Sequence, residues 1–326
     1  MDLSSIDYWV DLHLHLDGSL SLKTVRKLAK MQNIEVPEDD GKLNKLLVCP
    51  SYCESLNQYL QCFDFPLQLL QTKAAVTESV RALISELKKE NTIYAEIRFA
   101  PQLHCRKGLS QTEVVEAAIA GLDGNMKLIL CCMRGKDNEE QNIETIRLAR
   151  DYQGKGVVAV DLAGAEGIFP NSDYKALFAA AKEMKVPYTI HAGEAAGAES
   201  VRCAVEYGAA RIGHGVRSYE DSNVMNLLKK SGVMLELCPT SNLDTKVFDR
   251  LEDYPIAQYL KAGIPVCINT DNRTVSNTTI RKEYEKLSDT FGLTIEDVNN
   301  MLVTACKYSF ADKCCKEDIL RKAGAL

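Results

Sequence analysis

Eight times along this chain a short apolar run with strand character gives way to a segment with helical spacing, and that alternation limits the fold more than any other feature. The first strand passes through Asp11, His13 and His15, and the others are predicted over 93–100, 126–133, 157–162, 186–191, 211–213, 233–237 and 265–270. Helices are predicted over 22–31, over 72–90, from the capping box Ser110-Gln111-Thr112-Glu113, over 139–152, from a Ser172 cap to 185, and over 198–207, 221–230 and 251–262. Strands alternating with helices make a parallel sheet, and eight such units in roughly 250 residues close into an α/β (β/α)8 TIM barrel. Extra helices follow the first strand and fill 276–323, where Thr294-x-x-Asp297 is a helix start. No linker or shift in composition divides the chain, so a single barrel domain is expected to span 1–326. An open doubly wound sheet is the alternative, but Gly-x-Gly-x-x-Gly after the first strand is missing.

The polar residues fall where such a barrel keeps its chemistry. Side chains alternate across a strand, so Asp11, His13 and His15 share one face while Leu12, Leu14 and Leu16 take the other. The chain has only five histidines. His191 ends the fifth strand in His191-Ala192-Gly193-Glu194, His214 ends the sixth, Asp271-Asn272 follow the eighth, and only His104 stands apart. The carboxyl ends of barrel strands form the catalytic face. Neutral imidazole is a common zinc ligand, and three protein ligands with an open position mark a catalytic site. Before the second strand, Leu56, Tyr59, Leu60 and Phe63 mark one apolar helix face, suited either to core packing or to a lid over a pocket within 50–66.

Composition narrows the partners. A formal net charge of −6, with Lys and Arg spread rather than clustered, provides no basic footprint for nucleic acid. The start, Met1-Asp2-Leu3-Ser4-Ser5-Ile6-Asp7, lacks a basic and apolar leader, and no apolar run of ~18 residues occurs, so a cytoplasmic protein with no membrane partner is expected. The twelve cysteines form no Cys-x-x-Cys and are read as reduced thiols. Cys49 and Cys53 are a conceivable metal half-site without a matching second pair. The same absence excludes the deaminases built on Pro-Cys-x-x-Cys.

Seven segments together resemble the adenosine deaminase family of the metal-dependent amidohydrolase group. They are His13-Leu14-His15-Leu16-Asp17-Gly18-Ser19, Glu96-Ile97-Arg98-Phe99-Ala100-Pro101, Asp161-Leu162-Ala163-Gly164, His191-Ala192-Gly193-Glu194, Gly213-His214-Gly215, Cys238-Pro239-Thr240-Ser241-Asn242 and Asn269-Thr270-Asp271. The resemblance covers nearly the whole chain. It implies one Zn2+ held by His13, His15, His191 and Asp271, with Glu194, His214 and Asp271 as catalytic groups. Glu194 would protonate purine N1, His214 would orient the attacking hydroxide, and Asp271 would accept a hydrogen bond from it. The implied substrate is a purine nucleoside contacted by Asp17 at the ribose 5′-hydroxyl, by the Gly164 N–H at N3, by Asn272 at N7 and by His15. Leu56, Tyr59, Leu60 and Phe63 match the family's hydrophobic gate. Ser19 is expected near the sugar or as a helix cap before Leu22.

Two positions depart from the family pattern. Asn272 stands where a second Asp is common, and its amide has two donors for N7. Ala165 stands where many members have Asp, which implies a changed local hydrogen-bond pattern. Deamination of adenine or another aminopurine is the alternative activity, and a catalytically inactive barrel acting as a binding protein is the alternative class. Related adenine deaminases tend to carry Glu where Asp17 begins Asp17-Gly18. Oligomeric state is not legible in the sequence.

Overall fold

The computed structural model describes residues 3–326, and Met1 and Asp2 lie outside the described residues. Strands β1 (Trp9–His15), β2 (Thr92–Phe99), β3 (Lys127–Met133) and β4 (Val157–Ala163) pair in parallel in that order. So do β5 (Thr189–Ala192), β6 (Arg211–His214), β7 (Met234–Leu237) and β8 (Val266–Ile268). Two seams join the halves. A parallel bridge pairs Val160 with Tyr188 between β4 and β5, where Val160 N–H donates to Pro187 O at 3.0 Å. A second pairs Leu14 with Asp271, where His15 N–H donates to Asp271 O at 2.7 Å and Asp271 N–H to His13 O at 2.8 Å. The expected (β/α)8 barrel is therefore the observed architecture, and its last seam is built from the backbone of candidate site residues.

Each strand is buried on both faces, so its outward side chains need an apolar cover. One core, including Leu12, Leu14, Ile97, Leu128, Leu130, Ile190, Ile212, Leu235 and Ile268, lies between barrel and helices. The helices begin where the backbone N–H groups find acceptors. Ser110 and Glu113 form the expected capping box for Gln111–Ile119, and Thr294 and Asp297 form one for Ile295–Tyr308. Beyond β8, the helices Ile280–Phe291, Ile295–Tyr308 and Lys313–Lys322 supply further cover, with Tyr284 packed 5.5 Å from the Trp9 ring. After the second of these, Phe310 N–H donates to Glu96 Oε1 at 2.6 Å and its ring lies 3.9 Å from the Arg211 guanidinium carbon.

Three local expectations change. Ser172 caps no helix: Asn171–Tyr174 is a 3-10 turn, Asn171 turns inward to Arg134 and Ser200, and Ser172 is left exposed. The segment over 251–262 is divided into a turn, Leu251–Asp253, and a helix, Ile256–Ala262, because Tyr254 before Pro255 is held extended. The cap before Leu22 is Ser21, not Ser19, whose Oγ instead accepts from Arg273 N–H at 3.3 Å. Among the described residues, no helix is long and apolar enough to cross a membrane, and the twelve cysteines are free thiols.

The barrel interior carries charge. Arg98 and Arg211 are fully buried, and Glu236 bridges them, with Oε2 2.9 Å from Arg98 and Oε1 2.6 Å from Arg211. Asp161 lies 2.8 Å from Arg98 at one end of this chain and Glu96 2.5 Å from Arg211 at the other. Removing one partner of a buried pair leaves an uncompensated charge, so Arg98→Met is expected to lower unfolding free energy by about 3–5 kcal/mol. Equilibrium urea denaturation checks this, and a loss below about 1 kcal/mol, the scale of an exposed pair, would contradict it.

Candidate active site

The strand ends bring four donor groups to one point. His13 Nε2 lies 3.1 Å and His15 Nε2 3.4 Å from His191 Nε2, while Asp271 Oδ1 lies 3.4 and 3.3 Å from the Nε2 atoms of His13 and His15. All four ligand atoms fall within 4.8 Å of one another. Three imidazole nitrogens and a carboxylate crowded in a buried space suit a bound divalent cation, and the set of three His and one Asp fits zinc. The grouping of His13, His214, Cys238 and Asp271 is equally compact. Burial holds the Cys238 thiol well above its ordinary pKa, and Sγ donates to Glu236 O, so it is a poor ligand.

The interior charges set the ring orientations. His13 Nδ1 lies 2.8 Å from Glu236 Oε2, and His191 Nδ1 lies 2.8 Å from Asp161 Oδ2, the latter a close polar contact. Each carboxylate favours a proton on Nδ1 and leaves the Nε2 lone pair facing the donor cluster. Burial and Arg98 oppose charge on His13, but Asp271 and Glu236 outweigh them and raise its pKa. Burial lowers the pKa of His15 and of His191. Burial works against ionised Asp271, but His13, His15 and His214 hold it well below the usual carboxylate range.

Two acid–base groups border the cluster. Glu194 Oε2 lies 3.7 Å from His214 Nε2, which is 4.0 Å from Asp271 Oδ2. Burial, Asp271 and Glu166 push the Glu194 carboxyl well above its ordinary pKa, which favours its neutral, proton-carrying form. Burial keeps His214 neutral. The amide of Asn242, oriented by Tyr254 Oη–H donating to its Oδ1 at 3.1 Å, places Nδ2 3.1 Å from His214 Nδ1. Nδ1 is then the acceptor and the ring proton sits on Nε2, toward Glu194 and Asp271. Both His214 (φ 59°) and Asp271 (φ 56°) are left-handed, a conformation that costs non-glycine residues about 1–3 kcal/mol and concentrates at active sites.

A cavity of about 280 Å³ opens onto these groups, near the lower end of the usual ligand-site range of about 300–1,000 Å³. Leu56, Tyr59, Leu60, Phe63 and Leu67 form its apolar wall, so the helix face read as core or lid lines the pocket. Asp17, Gly164, Ala165 and Asn272 also line it. Asp17 Oδ1 and Asn272 Oδ1 are buried without a protein partner, and burial raises the Asp17 pKa to about 6. Ser19 does not line the cavity, and Ala165 offers it no polar side-chain atom. A Cβ on Gly18 would fall 1.9 Å from Asn272 Oδ1 and 2.9 Å from its Cβ, so glycine is what lets Asn272 reach the wall.

Sequence reasoning placed His13, His15, His191, His214, Glu194 and Asp271 together, and the structure does the same. Asp11 departs from the expected shared face: the β1–β2 register shifts between Asp11 and Leu14, and Asp11 Oδ2 accepts from Thr270 Oγ1 at 2.6 Å. His104 is a buried histidine whose Nδ1 lies 3.0 Å from Leu70 O. Sequence reasoning missed the roles of Glu236, Arg98, Arg134 and Asn242. The available signal was a charge inside an apolar strand, as in Met234-Leu235-Glu236-Leu237.

Residues 9–324 match the family model for adenosine deaminase. A protein of Haemophilus ducreyi named adenosine deaminase is 46% identical over 313 residues, covering 92% of this chain and 91% of its own. The crystal structure of adenine deaminase from Arthrobacter aurescens superposes with a TM-score of 0.88 at 25% identity, covering 97% of this chain and 98% of its own. An amidohydrolase from Burkholderia ambifaria solved with bound Zn superposes with a TM-score of 0.85 at 17% identity, covering 97% and 89%.

Elemental analysis of purified protein is expected to find one divalent ion per chain, retained in Glu194→Gln and largely lost in His191→Ala. Metal loss from Glu194→Gln, or full retention in His191→Ala, would contradict the ligand assignment. In Gly18→Ala the displaced Asn272 is expected to weaken ligand binding about tenfold or more without metal loss, which titration of a purine nucleoside would measure.

Proposed function

This chain belongs to the adenosine deaminase family, and from that membership we propose that it hydrolyses adenosine and 2′-deoxyadenosine to inosine and 2′-deoxyinosine with release of ammonia. The observation that carries the reading is Glu194, its carboxyl biased by burial toward the neutral form, 3.7 Å from His214, both lining one cavity with His15, His191 and Asp271 of the His13, His15, His191 and Asp271 cluster. One Zn2+ held by those four residues would supply a water acidified to a pKa of ~7, a nucleophile available at neutral pH.

The chain's own groups do the rest. Water adds across the C6–N1 bond of the purine, with oxygen going to C6 and the proton for N1 coming from Glu194. The Nε2–H of His214 directs the oxygen and stabilises its charge, while the Asp271 carboxylate accepts the hydrogen bond from it. The proton of the C6 hydroxyl passes to the C6 amino group, the C6–N bond breaks with release of ammonia as the carbonyl forms at C6, and the other proton of the water restores Glu194. Asp17, whose Oδ1 has no protein partner, binds the ribose 5′-hydroxyl; Gly164 N–H donates to N3, Asn272 to N7, and His15 borders the ligand. The Leu56, Tyr59, Leu60 and Phe63 wall shields the reaction from water. This reading makes the partner a small nucleoside, with no nucleic acid or membrane surface, and the compartment the cytoplasm.

The competing substrate is the free base, since the Arthrobacter relative is named adenine deaminase. The identity of 46% to a protein named for adenosine, against 25% for that one, favours the nucleoside. Ammonia release is expected to be fast from both nucleosides and slight from adenine. Adenine alone as substrate would overturn the assignment. Glu194→Gln is expected to lower kcat by about 10²–10⁴-fold as general acid catalysis is lost. Asn272→Asp is expected to change kcat/KM for adenosine by less than about tenfold, because the amide already serves N7.

A further inference from the structure

We propose that Glu166 is the positioning residue of the catalytic acid, fixing the backbone that presents Glu194. Glu166 follows β4 and is buried, yet takes no part in the donor cluster. Its Oε2 accepts from the N–H groups of Glu194 (3.0 Å), Ala195 (2.7 Å) and Ala196 (3.0 Å). Its Oε1 accepts from Gly193 N–H (2.8 Å) and from Ser200 Oγ–H (2.5 Å). One carboxylate thus holds four successive amides of the turn that leaves β5, the amide of Glu194 among them.

The chemistry allows only an anion there. A carboxylate has about four lone-pair sites and no donor, and five donors converge on this one. A protonated acid or an amide would set donor against donor. Successive backbone N–H groups curved around one anion make a rigid nest. The hold continues on the other side of β5. Ser200 Oγ accepts from Asn171 Nδ2 at 2.8 Å, Asn171 Oδ1 accepts from Arg134 Nη2 at 2.8 Å, and Arg134 Nη2 donates to His191 O at 2.6 Å. The segment from His191 to Ala196 is therefore gripped at its carbonyl by Arg134 and at its amides by Glu166.

Glu166→Gln keeps the shape and reverses one end of the hydrogen-bond pattern. The inference rests on the proposed deamination by Glu194, and wild-type protein is assayed alongside so that the two fail separately. With adenosine as substrate, Glu166→Gln is expected to lose about 100-fold in kcat, the scale of a misplaced catalytic group, with KM within about threefold and metal content unchanged. Ser200→Ala removes one donor and leaves the anion, and is expected to cost about three- to tenfold in kcat with KM unchanged. Amide hydrogen exchange at residues 193–196 is expected to be slow in wild-type protein and much faster in Glu166→Gln. A kcat within about twofold of wild type in Glu166→Gln, or proportional losses of kcat, KM and metal together, would overturn the proposal. If Glu166→Gln fails to fold, an unchanged kcat in Ser200→Ala overturns it. If wild-type protein releases no ammonia from adenosine, the proposed function fails, and the exchange measurement still decides whether Glu166 holds the turn.

Discussion

Five ionised side chains lie in the barrel interior, in the order Glu96, Arg211, Glu236, Arg98 and Asp161, each touching the next. Burying any one of them alone would cost several kcal/mol, and the chain is tolerated because every charge meets its opposite. The same carboxylates face outward to the site, with Glu236 against His13 and Asp161 against His191. The imidazoles are thereby held as Nε2 donors before any ligand arrives. Fold and site share one electrostatic framework. Arg98 also donates to Leu12 O at 2.5 Å, which ties the framework to the strand carrying both His13 and His15.

Closure of the barrel depends on the same place. The β1–β8 seam consists of exchanges between His13, His15 and Asp271, made through backbone atoms whose side chains converge on the donor cluster. Asp271 adopts a left-handed conformation at this seam, as does His214 at the end of β6. The surrounding hydrogen bonds hold both in place, and each turns its side chain inward where an extended strand would alternate past the site. Gly213 beside His214 meets a related demand: a Cβ there would lie 2.9 Å from His13 Cε1, so only glycine leaves room for the ring. Strain and close approach at these positions are consistent with selection for geometry rather than for stability.

The cavity divides its chemistry by element. Strand ends supply titratable groups on one side, while the segment between Leu56 and Leu67 supplies apolar surface on the other. Tyr59 Oη and Ser276 Oγ lie 2.7 Å apart, joining that wall to the loop after β8. The apolar wall and the loop that anchors it thus come from parts of the chain more than 200 residues apart. Desolvation raises the Glu194 pKa, so a closed wall also bears on the protonation state of the acid.

Much was legible in the sequence because it depends on local spacing. Strand and helix alternation determined the barrel, and the placing of His13, His15, His191, His214 and Asp271 at strand ends determined that they meet, since a barrel brings all such ends to one face. Glu194 was legible for the same reason. The lid face was ambiguous, because an apolar stripe looks alike whether it covers a core or a cavity. Ser172 and Asp11 were misread where a distant partner overrode a local rule, Arg134 and Ser200 drawing in Asn171, and Thr270 taking the Asp11 carboxylate. The partners of Glu236, the grip of Glu166 on four amides and the tautomer of His214 came only from tertiary structure. A buried charge states in sequence that it needs a partner, but which one it finds depends on contacts between strands and loops separated by up to a hundred residues and more.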